Sequence, residues 1–139
     1  MAQKPETRLQ KKIQTFLQDK YPDMFIMKVH GSAYQRSGIP DLLISLWGHF
    51  VALEVKMPGK IATPLQIQTI MALRKSGATA GVVTTVEEAD GYIRRAIDSW
   101  GGSETGEPKQ RHSALLDDKA RIQAAFVCWQ NWLEHPLDS

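Results

Sequence analysis

The sequence predicts an α/β domain with a mixed central sheet flanked by helices, and three observations carry that reading. Segments with helical apolar spacing alternate with short apolar runs. Two of those runs are separated by a two-residue connection, which reads as an antiparallel hairpin. The last run is reached through a helix-length crossover and is therefore expected to lie parallel to its predecessor. At 139 residues and 42% hydrophobic content the chain can bury the core of one domain without disulfide or metal staples.

The elements follow in order. From Thr7 to Asp19, Leu9, Ile13, Phe16 and Leu17 recur at helical spacing with Lys and Gln between them, and Tyr21-Pro22-Asp23 ends this helix. Phe25 to His30 holds Ile26, Met27 and Val29 and reads as a strand, with a polar loop from Gly31 to Gly38 after it. Asp41 to Trp47 and Phe50 to Lys56 read as two strands joined at Gly48-His49. Pro58-Gly59 breaks the chain. Thr63-Pro64-Leu65-Gln66 then opens a helix with a cap residue, a first-turn proline and a glutamine placed to complete a capping box. That helix runs to Ser76 and is stopped by Gly77. Ala80 to Thr85 is a buried strand, and Thr85-Val86-Glu87-Glu88 starts a helix continuing through Tyr92, Ile93 and Ile97. Residues 1–99 thus form the expected core. Residues 100–113, rich in Gly, Ser, Pro and charge, are expected to be a flexible linker. Residues 114–139 are expected to form a helical extension. Its apolar residues from Ile122 to Leu133 cover most of the circumference, so it needs a partner surface on its own domain or on a second chain.

The net charge of +2 and a pI near 8.7 would not by themselves indicate a nucleic-acid partner. The distribution says more. Residues 1–60 hold nine Lys and Arg against five Asp and Glu, a surplus of +4, while residues 61–139 hold eight against ten, a deficit of −2. Polyanion binding, if present, leans on the first half, although a solvated helix face accounts for the same lysines. The single Cys128 cannot form an internal disulfide. No apolar stretch reaches the ~18 residues of a membrane span, and Met-Ala-Gln-Lys-Pro-Glu-Thr lacks the apolar segment of a secretory signal. An intracellular, cytoplasmic setting is expected. His30, His49, His112 and His135 show no mutual ligand spacing, so a zinc site is not expected.

Chemistry concentrates on the proposed hairpin. Asp41 begins one strand and Glu54 lies near the end of the other, so antiparallel pairing brings these carboxylates to one end of the sheet. Lys56, two residues beyond Glu54, shares its face. Convergent carboxylates can hold a hard divalent cation, and a neighbouring lysine can orient a water or stabilise charge at a phosphate. An ordinary turn acid would explain Asp41 alone. A Glu-x-Lys pair in an otherwise apolar strand is costly to bury without a function.

Ser37-Gly38-Ile39-Pro40-Asp41 followed by Glu54-Val55-Lys56 after an apolar hairpin resembles the PD-(D/E)XK nuclease superfamily. An acid at the start of the first helix, the Gly-x-Pro-Asp turn, Glu-x-Lys and a helix opening Thr-Pro-x-Gln, followed by Gly-Ala, narrow the resemblance to the VRR-NUC domain, over roughly Glu6 to Thr85. The family occurs in interstrand-crosslink repair enzymes and in small stand-alone phage and bacterial proteins. The resemblance implies the restriction-endonuclease-like core and a Mg²⁺ or Mn²⁺ cofactor held by Asp41, Glu54 and the Val55 carbonyl. It makes Lys56 the catalytic lysine, Glu6 a possible holder of a second metal or a metal-bound water, and Gln66 a residue near the site. Glu6 can equally serve the positive end of its helix, and Gln66 can equally reach back to its own cap. Leu65 departs from the pattern, where a polar or acidic residue is expected.

The loop before Asp41 offers Tyr34, Arg36 and Ser37 as candidate phosphate contacts, with Lys28 and Lys60 from the same basic half; a merely solvated connection is the alternative. The resemblance implies a structure-selective DNA endonuclease, resolving four-way junctions as a homodimer because one small domain offers one site. The alternatives are a flap or fork nuclease, and a binding module for branched DNA that keeps the fold without turnover.

Overall fold

The structure, a computed structural model, describes residues 2–31 and 36–99. Tyr34, the linker expected at 100–113 and the helix expected at 114–139 lie outside the described residues.

The described elements are α1 (Pro5–Lys20), β1 (Phe25–Lys28), β2 (Leu42–Leu46), β3 (His49–Val55), α2 (Pro64–Lys75), β4 (Thr79–Val83) and α3 (Val86–Asp98), the order expected from sequence. The four strands form one sheet in the order β1-β2-β3-β4. β1 and β3 each run antiparallel to β2, and β4 is parallel to β3 across the α2 crossover. This is an α/β fold with a mixed sheet flanked by helices, the arrangement that the PD-(D/E)XK resemblance implies.

The hairpin differs from expectation by one residue. Leu46 pairs with His49, so the connection is Trp47-Gly48 and His49 is the first residue of β3. Both connecting residues have positive φ, 49° and 85°, the pattern of a type I′ turn, whose twist matches that of the flanking strands. Gly48 adopts that geometry freely. Trp47 is held there by partial packing on the core and by its indole N–H, which donates to Asp23 Oδ2 at 3.2 Å.

Strand alternation divides the molecule into three layers. Leu42, Ile44, Leu46, Val51, Leu53, Val55 and Val83 turn to one face, where they meet Ile13 and Leu17 of α1 and Ala89, Ile93 and Ala96 of α3. Ala52 and Ala80 turn to the other face and pack with Ile70 of α2, with Leu43 and Val82 beside them. α2 starts with the capping box read from the sequence: Gln66 N–H donates to Thr63 Oγ1 at 3.2 Å, and Thr63 N–H donates to Gln66 Oε1 at 2.9 Å. It ends in a Schellman motif, with Gly77 N–H bonded to Arg74 O and Ala78 N–H to Leu73 O. α1 and α3 are tied through Asp90, which accepts from Lys20 Nζ at 2.6 Å, Tyr21 Oη at 2.7 Å and Arg94 at 2.9 Å. No described helix is long and apolar enough to cross a membrane.

Candidate active site

Asp41, Glu54 and Lys56 meet where the carboxyl end of β3 passes the start of β2. Pro40 is fully buried and holds the entry to β2. Just after it, the Asp41 backbone accepts from Val29 N–H, and its side chain turns across to β3, where Oδ2 accepts from Val55 N–H at 2.8 Å. The Asp41 side chain therefore takes a hydrogen bond that a longer β2 would have supplied from its backbone. In an extended residue the carbonyl points the same way as the N–H, so the Val55 carbonyl is also directed to the Asp41 side.

Glu54 is only 1% exposed and faces α2. Its Oε1 accepts from Gln66 Nε2 at 2.8 Å and lies 3.6 Å from Lys56 Nζ. Its Oε2 is buried and has no hydrogen-bond partner among the described residues. Burial and the neighbouring Asp41 carboxylate push Glu54 up to about 7, while the Lys56 ammonium pulls in the opposite direction without prevailing. A buried carboxylate with an orphaned oxygen, a second carboxylate beside it and a backbone carbonyl directed the same way make an all-oxygen donor set. That set fits a hard divalent cation such as Mg²⁺ or Mn²⁺.

Gln66 has both roles between which the sequence left a choice. Its carbonyl completes the capping box and its amide N–H₂ holds Glu54. The one side chain fixes the start of α2 to the carboxylate. Leu65, the departure from the motif, packs against the turn before Asp41. Gly38 (φ +83°) comes so close that an added Cβ would lie 2.8 Å from Leu65 Cγ and 2.9 Å from the Leu65 carbonyl oxygen.

In sequence, no family model matches the chain and no curated protein matches it. Among solved structures, a protein described as a VRR_NUC domain is 31% identical over 64% of this chain and 94% of its own length, with a TM-score of 0.54. The chain belongs to the VRR-NUC family. A second structure, a VRR_NUC domain protein, shares the fold at 22% identity and a TM-score of 0.56, covering 70% of this chain and 92% of that one. The Holliday junction resolvase Hjc of Archaeoglobus fulgidus aligns at 20% identity over 57% of this chain and 67% of its own, with a TM-score of 0.46.

Around this VRR-NUC centre the other candidates scatter. Glu6 is half-buried in the first turn of α1, on the stripe that continues through Gln10 and Ile13 toward the sheet. Among the described residues no three Asp, Glu, His or Cys side chains form a group able to hold a metal, so Asp41 and Glu54 come together without Glu6. Arg36 and Ser37 line a small cleft of about 220 Å³ that Asp41 also lines. Lys60 is exposed beyond the Met57–Lys60 turn between β3 and α2. Lys28 pairs with Leu42 and so faces α1 and α3, on the opposite side of the sheet from Glu54. Two buried polar residues escaped the sequence reading. Gln10 is 6% exposed with an unpartnered Oε1, and Asp90 anchors the α1–α3 tie. Both sit at core-facing positions of their helices, where a polar residue in an apolar stripe is the signal that was available.

Proposed function

We propose that this VRR-NUC protein is a metal-dependent, structure-selective DNA endonuclease that cuts four-way junctions as a homodimer. The observation that carries the reading is the Asp41–Glu54–Lys56 constellation, in which a nearly inaccessible glutamate keeps one oxygen without a partner beside a second carboxylate. A pure binding surface gains nothing from acids turned toward phosphate. Mg²⁺ or Mn²⁺ held by Asp41, Glu54 and the Val55 carbonyl would supply an activated water and neutralise charge developing on the phosphate.

The protein's own groups do the rest. Val55 N–H and Gln66 Nε2 each fix one oxygen of a carboxylate, which leaves the second oxygens in a set orientation. Lys56, held toward Glu54 and with its side chain 14% exposed, is placed to orient a water or to meet a phosphate oxygen. Arg36 and Ser37 flank Asp41 with donors suited to the DNA backbone.

Cleavage of labelled four-way junction, flap and linear duplex DNA with Mg²⁺ or Mn²⁺ tests this directly. Symmetric nicks in the junction that vanish with EDTA, with Asp41→Ala and with Lys56→Ala are expected. Tight junction binding with no cleavage, unaffected by either substitution, would refute the catalytic reading. Light scattering on the full chain is expected to give the mass of a dimer. A form ending at Trp100 is expected to be monomeric if residues 114–139 make the interface.

A further inference from the structure

Between α1 and the start of α3 lies an open groove of about 740 Å³, on the opposite side of the sheet from Glu54. Three cations of α1, Arg8, Lys11 and Lys12, line it, against one acid, Glu87. Among the described residues none of the three cations forms an ion pair, whereas Lys20, Lys56 and Arg94 all do. Arg8 stands three residues before Lys11 and four before Lys12, which places it beside both on the helix surface, with Cβ atoms about 5–6 Å apart. The rest of the lining sets the polar Gln3, Thr15, Thr84 and Thr85 beside an apolar strip of Leu9, Val86 and Phe16; Phe16 is 40% exposed, with Lys20 Nζ 5.9 Å from its ring centroid.

Cations beside an apolar strip with a partly exposed ring are poorly matched to duplex DNA, which offers such a groove only phosphates and sugars. They match an unpaired strand, whose phosphates meet the cations while its bases stack on the ring. The groove reaches the same end of the sheet as the candidate site, on the other face. Thr84 lines it and directly follows Val83, whose carbonyl accepts from Lys56 N–H at 3.0 Å.

We propose that the α1–α3 groove binds an unpaired nucleic-acid strand leading to or from the cut, with Arg8, Lys11 and Lys12 on its phosphates and Phe16 stacked on a base. The strand's passage into the site rests on the nuclease reading; the binding does not. Flaps and forks, the alternative substrates considered from the sequence, carry such a single-stranded arm.

Fluorescence anisotropy in EDTA, with a short labelled oligothymidylate and a blunt duplex of equal length, separates the two proposals because no cleavage is involved. The Lys11→Glu/Lys12→Glu double variant is expected to weaken oligothymidylate binding at least about tenfold at low salt and to affect the duplex much less. Phe16→Ala, with its charges intact, is expected to weaken the oligothymidylate alone by about tenfold, the weight of one stacked base. No binding of oligothymidylate by the unaltered protein, or equal losses for both probes, would overturn the proposal even if the protein cuts DNA. Loss confined to the single strand in a protein that cuts nothing would leave the groove standing and remove only the nuclease.

Discussion

Replacing Glu54 by Gln tests whether the buried carboxylate is held in place for a cation. In the metal-free protein Glu54 sits at about 7 in place of its ordinary 4.5, because burial and the Asp41 charge disfavour its ionised form. The folded state therefore binds this proton more tightly than the unfolded chain does. Stability from this group is fully present below about pH 4.5 and is lost as pH rises through about 7. The displacement corresponds to roughly 3 kcal/mol. This is an upper figure, since water entry and movement of Lys56 relax a buried charge. For a domain of this size that is on the order of 6–10 °C in melting temperature. Melts in EDTA are expected to show the unaltered protein losing stability relative to Glu54→Gln between about pH 5 and about pH 8, with the variant the more stable at the upper end. With Mg²⁺ present the order is expected to reverse above pH 7, because the cation favours the ionised carboxylate that Gln lacks. Parallel pH profiles for the two proteins in EDTA would refute the burial argument. A variant stabilised by Mg²⁺ as much as the parent would refute the ligand role.

Substitutions at three further positions, Gln66, Asp90 and Gly38, probe the supports. Gln66→Ala removes half of the capping box and the donor to Glu54, and is expected to cost about 1–3 kcal/mol in denaturant titration. Gln66→Glu keeps the acceptor for Thr63 N–H but faces Glu54 with a like charge, so cleavage is expected to fall further than stability does. Asp90→Ala leaves the Tyr21 hydroxyl and the Lys20 ammonium without their partner and is expected to cost about 2–4 kcal/mol, discounted because Lys20 and Arg94 are partly solvated. Burial alone would raise Asp90, but the hydrogen bonds from Lys20 and Tyr21 and the charges of Lys20 and Arg94 outweigh it and hold the group below 3.8. Its contribution is therefore present above that value and lost as pH falls below it, and acid titration of the Ala variant is expected to lack that component. Gly38→Ala is expected to destabilise by more than Gly59→Ala. Both have φ +83°, but only at Gly38 does the added carbon meet a neighbour, including the Leu65 carbonyl, which cannot swing away. Equal losses at the two glycines would show that the approach of Leu65 is not tight.

Legibility in the sequence followed how local each cause is. The capping box at Thr63 and Gln66, the Gly77 stop and the Glu54-x-Lys56 spacing depend on residues a few positions apart, and the structure has all three. The hairpin was visible but its turn was displaced by one residue. Pattern rules put glycine at the centre of such a turn, whereas Trp47 takes a left-handed conformation under the constraint of a hydrogen bond to Asp23, 24 positions away. The Asp90 tie to Lys20 and Tyr21 spans about 70 positions, so no window along the chain reveals it. Glu6 shows the converse. Its helix was legible, but whether a first-turn acid reaches the sheet end depends on how α1 packs, and the packing does not group it with Asp41 and Glu54.

The site and the fold share their hydrogen bonds. Asp41 holds β3 through Val55, and Glu54 is held by a glutamine whose other end caps α2, so each carboxylate spends one oxygen on the structure. Chemistry is left to the second oxygens, and the first ones set their direction. For that reason a substitution such as Gln66→Ala cannot be read as purely structural or purely catalytic. Binding energy from a cation at Asp41 and Glu54 would pass through the same bonds to the start of α2 and the end of the sheet, so Mg²⁺ should protect Val55 N–H and Gln66 N–H from hydrogen exchange more than it protects the far end of the β2–β3 hairpin. Uniform protection across the domain would mean that the cation stabilises the fold as a whole without tightening these particular bonds.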